Sequence, residues 1–215
     1  LSVQADEDVF EPFTILAFLA GITSTVRLGI SVLVLPYRHP VLNAKMLATL
    51  DVLSGGRLIV GVGVGWMKEE FQVLDADFEH RGAVTDEHIR ILKALWTQDD
   101  PRFEGNHYRV GGIKFFPKPV QKPHPPVWVG GIAPPALRRA ALLGEGWHAV
   151  RMTPQDLARG AATVREMRGQ HGLDGQPFSV SVRTTLQVTD SPLAEDRTPM
   201  TGTPEQIQGD LYQYA

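Results

Sequence analysis

GRLIVGVGVGW, Gly56 to Trp66, decides the reading of this chain. A run apolar at nearly every position suits a strand covered on both faces, and such strands belong to parallel sheets. Glycines at alternate positions along its second half leave bare backbone on one face, where another group can approach closely. PPVWVGGIAPPALRRAA, Pro125 to Ala141, repeats the theme: a short apolar strand, two glycines, then a helix opened by prolines. Two such strand ends on one face of an α/β sheet predict a seat for a ring cofactor with an anionic tail, and hence an enzyme.

The same alternation extends in both directions. Residues 12–23 predict a helix packed on a core, and 26–35 (VRLGISVLVL) a buried strand. Pro40 suits a first helical position, Leu42, Met46, Leu50 and Leu53 recur at helical spacing, and Ser54-Gly55-Gly56 ends that helix. Residues 66–82 read as irregular. Val84, His88, Ile91, Leu92 and Leu95 mark the next helix. Residues 98–124 are turn-rich and long for a connection, so they are expected to be functional or an insertion. Strand 127–131, helix 134–143, strand 146–150, a helix opened by Thr153-Pro154, and strand 178–188 follow. Thr203, Pro204 and Gln206 then form an N-cap, a first-turn proline and a capping-box partner. Five strands alternate with helices in one domain spanning 1–215, without repeats.

Composition narrows the function classes. Of 215 residues, 43% are hydrophobic and 21% charged, as in ordinary globular domains, and the length suffices for one sizeable core. A net charge of −3 predicts no nucleic-acid partner. Without cysteine there is no disulfide and no thiolate chemistry. No apolar run approaches the roughly 20 residues of a bilayer span, and the opening LSVQADEDVFEP is acidic where a secretory signal is basic. A cytoplasmic protein is expected. The histidines at 80, 88, 107, 124 and 171 lack ligand spacing, so no metal is expected. The first residue is Leu1 and the last, Ala215, falls inside a well-signalled helix. An incomplete version of a longer protein is the expectation.

Two architectures fit: a doubly wound open sheet, or a (β/α)8 barrel with about three strands outside the given sequence. A dinucleotide-binding turn needs G-x-G-x-x-G opening a helix. Here Gly61, Gly63 and Gly65 are followed by Trp66 and a charged loop, which argues against it.

The residues also carry a specific likeness. RLGISVLVLPYRHPVLNAKMLATLDVLSGGRLIVGVGVGWMKEEF (27–71), HRGAVTDE (80–87), ILKALWT (91–97), FFPKPVQKPHPPVWVGG (115–131), ALRRAALLGEGW (136–147) and GTPEQI (202–207) occur in order over most of the chain. Together they resemble the luciferase-like monooxygenase family, which includes bacterial luciferase and the oxidoreductases dependent on the deazaflavin coenzyme F-420. The GVGVGW and KPVQ-P-PP-W-GG patterns are more similar to the F-420 branch.

The resemblance implies a (β/α)8 TIM barrel lacking strands 1–2 and strand 8 in the given chain. It implies hydride transfer between coenzyme F-420 and a small organic substrate. The alternative is an FMN-dependent monooxygenase served by a separate flavin reductase; a third reading, of another class, is a non-catalytic flavin-binding relative. A homodimer is also implied. Family members often carry a catalytic histidine or acid at the end of the second strand, a segment expected to lie outside the given sequence. Others carry a glutamate directly after the glycine strand, where Trp66 stands here. No catalytic residue is therefore assigned.

For cofactor binding the resemblance points to Ser31-Val32, or a neighbouring pair, as the site of a non-proline cis peptide facing the ring. Gly63 and Gly65 are expected to leave room for the ring, with close packing of strand and helix as the alternative, and Trp66 to wall the pocket or join the core. Gly130, Gly131, Ile132 and Ala133 precede a helix and are expected to hold a phosphate, with Arg151 adding charge. His148 is expected to be structural unless it faces the pocket, His39 to cap a helix, and Glu69 and Glu70 to lie on a solvated face. The segments 66–82 and 98–124 are expected to shape the substrate pocket.

Overall fold

The computed structural model describes residues 9–214. Residues 1–8, most of the acidic opening, and Ala215 lie outside the described residues. In chain order the elements are α1 (Pro12–Ile22), β1 (Leu28–Gly29), β2 (Leu33–Val34), α2 (Pro40–Leu53), β3 (Leu58–Gly63), α3 (Lys68–Val73) and α4 (Arg81–Thr97). They continue with β4 (Phe103–Glu104), β5 (Arg109–Val110), β6 (Val127–Gly130), α5 (Pro134–Leu143), β7 (Gly146–Val150), α6 (Pro154–Gln170), β8 (Ser179–Arg183), β9 (Gln187–Val188), β10 (Thr201–Gly202) and α7 (Pro204–Tyr214).

The main sheet is entirely parallel. Its order is β1–β3–β6–β7–β8, with β2 also paired to β3. Leu58, Val60 and Val62 of β3, Val127 and Val129 of β6, and Trp147 and Ala149 of β7 are all buried in one core with residues of α2 and α4. The strands therefore present alternate residues to the helices and the intervening ones to the opposite face. On β7 and β8 that second face carries Gly146, His148 and Val150 beside Ser179, Ser181 and Arg183.

This face is concave. Ser31 Oγ lies 2.7 Å from His148 Nε2, and an Arg183 guanidinium nitrogen lies 3.1 Å from the Ser31 carbonyl oxygen. In the sheet, β2 and β7 stand three steps apart. At a strand spacing of about 4.8 Å, a flat sheet would hold them about 14 Å apart. The sheet is thus curled into a half-barrel, which decides between the two architectures in favour of barrel-type curvature.

The single strand expected over 26–35 is broken. Four residue steps from Gly29 to Leu33 face three from Ile59 to Val62, so one extra residue bulges from the edge at 30–32. The segment 66–82, expected to be irregular, contains α3, and Glu70 there is buried rather than solvated: Tyr37 Oη donates to its carboxylate. Its burial follows from Phe71, fully buried beside it with its ring edge-on to Tyr37 and Phe78.

Helix ends follow their local chemistry. His39 caps α2, its Nδ1 accepting from the Val41 N–H at 3.3 Å. Thr203 and Gln206 close the expected capping box on α7. At the opposite, N-terminal end of β3, the Arg57 guanidinium donates to the carbonyls of Ser54, Ala20, Thr23 and Val26 and to Thr23 Oγ1. One side chain ties α1, the edge strand and β3 together. Arg57→Ala strands these carbonyls and is expected to cost about 3 kcal/mol, read as a drop in the urea midpoint with unchanged slope.

The segment 98–124 is strapped to the outer helices. The Glu87 carboxylate of α4 accepts from the backbone N–H groups of Asn106, His107 and Tyr108, and Asp51 of α2 accepts from both the main chain and the side chain of Gln121. None of these bonds reaches Ser31 or His148. A pocket-shaping role for the segment gains no support from them.

His88, fully buried in α4 against the Tyr108 ring, has no hydrogen-bond partner for either ring nitrogen among the described residues. Burial, and secondarily the charge of His39, push its imidazole down to about 4. Between about pH 6.5 and 4 the unfolded chain binds a proton that the folded chain refuses. Stability is therefore full above pH 6.5 and falls on acidification, by about 3 kcal/mol at pH 4. Thermal melts across this range should show the loss, and His88→Leu should flatten it.

Candidate cofactor site

The candidate site is the concave face at the C-terminal ends of the strands, where barrel enzymes place their chemistry. The bulge at 30–32 runs into it, and the Ser31–Val32 peptide is cis. The glycines of β3 and β6 admit this segment. A methyl built on Gly61 would lie 1.9 Å from the Ile30 carbonyl oxygen; one on Gly63 would lie 2.5 Å, and one on Gly130 2.8 Å, from Val32 methyl carbons. At Gly65, with φ +79°, the same position is taken by the Phe71 ring and a Val34 methyl.

The expected open space at Gly63 and Gly65 is therefore filled by the chain's own side chains. At Gly63 the physical reason is the bulge, whose extra residue at 30–32 pushes Ile30 and Val32 across β3; at Gly65 it is the Phe71 ring of α3 and Val34 of β2. The face that a ring can meet is the bulge itself. Trp66 is 75% exposed, so it is not a core residue.

A polar row lies beside the bulge. Ser31 Oγ meets His148 Nε2 at 2.7 Å, and His148 Nδ1 meets Ser181 Oγ at 2.8 Å. His148 is half-buried, and burial together with the Arg183 charge lowers its imidazole below the ordinary range. Both causes favour the neutral imidazole.

The end of β6 forms a second polar place. Gly131, with φ +114°, turns the chain, and its carbonyl accepts from the buried Trp147 indole at 2.7 Å. Ala133 caps α5 without a side-chain hydrogen bond. Pro134 and Pro135 supply no N–H, and the Ala136 N–H is satisfied by the Ala133 carbonyl at 2.8 Å. The Ile132 and Ala133 N–H groups donate to no acceptor among the described residues. Helix α5 thus offers an anion two backbone donors, which are fewer than the four of an ordinary N-terminus.

Arg151 stands at the end of β7 in a left-handed conformation, its N–H donating to the Arg183 carbonyl at 2.8 Å. Its side chain is exposed. The β3 and β6 ends are hydrogen-bonded neighbours, so Gly63, Gly130 and the bulge come together. Ser181 and Arg183 were not foreseen. Their signal was the alternation in SVSVR, which places serine, serine and arginine on one face of a strand whose neighbours are glycine and histidine. Among the described residues no group of three or more His, Asp or Glu side chains is placed to hold a metal ion. No helix among them is long and apolar enough to cross a membrane.

The family model described as luciferase-like monooxygenase matches residues 2–207. The chain belongs to this family. It is 32% identical over 185 residues to an FMNH(2)-dependent dimethylsulfone monooxygenase of Pseudomonas putida, covering 84% of this chain and 50% of that protein. It is 37% identical over 172 residues to an uncharacterised Mycobacterium tuberculosis protein, with 80% and 58% covered. Among solved structures, the monooxygenase RslO1 of Streptomyces bottropensis superposes with a TM-score of 0.73 at 28% identity, covering 86% of this chain and 56% of that one. The coenzyme F420-dependent tetrahydromethanopterin reductase of Methanopyrus kandleri shares the fold, with a TM-score of 0.75 at 22% identity over 88% and 57%. The chain spans between half and three-fifths of the length of these relatives.

Proposed function

We propose that the chain is the cofactor-binding part of an oxidoreductase that transfers a hydride between coenzyme F-420 and a small organic substrate. The observation that supports this best is the polar-edged bulge at 30–32, set in the concave face beside a helix start with two unused N–H donors. A polar edge beside free N–H donors suits a ring with an anionic tail, and the family match supplies the class of ring. Here Ser31 and Val32 meet the ring, and the exposed Trp66 and Ile132 side chains flank it. The Ile132 and Ala133 N–H groups hold the anionic tail, with Arg151 adding charge. Gly63, Gly65, Gly130 and Gly131 act one step removed: they admit the bulge, Phe71 and the turn into α5. When bound, the deazaflavin supplies hydride chemistry; the protein binds it, orients it and keeps water from its face.

One observation favours a second reading. The likeness to an FMNH(2)-dependent monooxygenase at 32% identity suits FMN, oxygen and a separate flavin reductase. Titration of the full chain with F-420 and with FMN, followed by cofactor fluorescence, separates them. Saturable F-420 binding with weak FMN binding supports the first reading; the reverse replaces it with the second; no binding of either removes both. The exposed Phe18, Ile22 and Leu53 along α1 and α2 suit the second copy of a homodimer. A cytoplasmic location completes the proposal.

A further inference from the structure

We infer that Ser31, His148 and Ser181 form a hydroxyl–imidazole–hydroxyl relay that sets Ser31 Oγ as the hydrogen-bond acceptor for an N–H or O–H group of the ligand on the concave face. The inference rests on the cofactor reading above and assigns a device within that site.

The direction of the relay follows from the acceptors available. Besides His148, the Ser181 hydroxyl has one hydrogen-bond partner among the described residues, the Trp147 carbonyl oxygen at 3.5 Å, which can only accept. The Ser181 proton goes there, and its oxygen faces His148 Nδ1. Neutral imidazole carries one proton, so placing it on Nδ1 leaves Nε2 a bare lone pair. The Ser31 hydroxyl has no other acceptor among the described residues, so its proton goes to Nε2 at 2.7 Å. Ser31 Oγ then turns its lone pairs to the open face, where Ser31 is exposed. Arg183, donating to the Ser31 carbonyl at 3.1 Å, fixes the main chain of the same residue.

Protonation reverses the relay. In imidazolium both nitrogens donate. Nε2–H then points at Ser31 Oγ, and the Ser31 proton must turn outward. The same hydroxyl changes from acceptor to donor toward the ligand. Arg183 on β8 is the charged group facing His148. The residues of β3 and β6 that face the same way, Ile59, Gly61, Gly63, Trp128 and Gly130, do not titrate, and the segment 30–32 carries no ionisable side chain. Arg183 disfavours the imidazolium, so the acceptor state holds at neutral pH. Ser31 is the group that touches the ligand; His148 and Ser181 are positioning residues.

The test combines two readouts on the full chain. Nitrogen NMR of the imidazole should show His148 neutral and protonated on Nδ1 at pH 7, titrating below 6.5, and Ser181→Ala should shift that titration. Fluorescence titration with F-420 and with FMN between pH 5 and 8 should show affinity for the bound cofactor changing as His148 titrates. Ser31→Ala should weaken binding about tenfold, the worth of one hydrogen bond, and abolish that pH dependence; Ser31→Thr, which restores a hydroxyl, should recover both. His148→Asn should abolish the pH dependence while far-ultraviolet circular dichroism stays native. An Nε2–H tautomer at pH 7 overturns the relay. So does cofactor binding whose affinity and pH profile ignore Ser31→Ala. Failure of both cofactors to bind the unaltered chain overturns the cofactor reading and takes the ligand role of Ser31 with it.

Discussion

Gly61→Ala is expected to be among the most damaging single-methyl additions in the chain. The new carbon would lie 1.9 Å from the Ile30 carbonyl oxygen and 3.1 Å from its carbon. Both are backbone atoms of a paired edge, so no rotamer change relieves the overlap. The bulge or β3 must move by more than 1 Å, and β3 is held on one side by β6 and on the other by both β1 and β2. Overpacking of this kind costs about 3 kcal/mol or more. For a chain of this length that is a fall of about 10 °C in Tm. The displaced bulge should also lose cofactor. Gly209→Ala is the control: it lies in helix α7 with nothing within 4 Å, and should raise stability by a few tenths to 1 kcal/mol. Equal melting temperatures for the two variants would refute the packing argument.

Trp147→Ala has the other large expected effect. The side chain is fully buried and lies over Gly160 of α6, where an added methyl would meet the ring at 2.3 Å. Its indole N–H also holds the Gly131 carbonyl at 2.7 Å. Truncation leaves a large cavity and costs about 3–5 kcal/mol. Trp147→Phe separates the two roles. It keeps an aromatic ring but frees the Gly131 carbonyl, so stability should fall less while affinity for the anionic tail of the cofactor falls measurably. Gly160→Ala should be harmful alone and far milder beside Trp147→Phe, because the smaller ring vacates the space the methyl needs. A double-mutant cycle reads this coupling directly.

The elements themselves were legible in the sequence. Helices α2, α5 and α7 follow from Pro40, Pro134 and Pro204 at their starts and from helical spacing behind them, and these are local signals. The buried strands were legible because β3 and β6 carry valines facing the helices. The break in the edge strand was not legible: VRLGISVLVL has a continuous apolar pattern, and the extra residue at 30–32 exists only relative to the spacing of β3. The alternate glycines signal close approach, but the groups that approach them, Ile30, Val32 and Phe71, are ones that sequence cannot bring there. The Glu70 burial depends likewise on Tyr37, 33 positions away. His148 drew notice as a residue type, whereas its partners Ser31 and Ser181 come from strands that only curvature brings within reach.

That curvature bears on the order in which the molecule assembles. The bond from Arg183 to Ser31 joins positions 152 apart along the chain, and that from His148 to Ser31 joins positions 117 apart. Loop closure over such spans is entropically costly and is repaid only late in folding. A nascent chain that has emerged as far as α5 can already pair β3 with β6 and seat Val32 on its glycines, yet it has no imidazole and no guanidinium to meet Ser31. The polar half of the site therefore waits for β7 and β8, and no species short of them can mimic it.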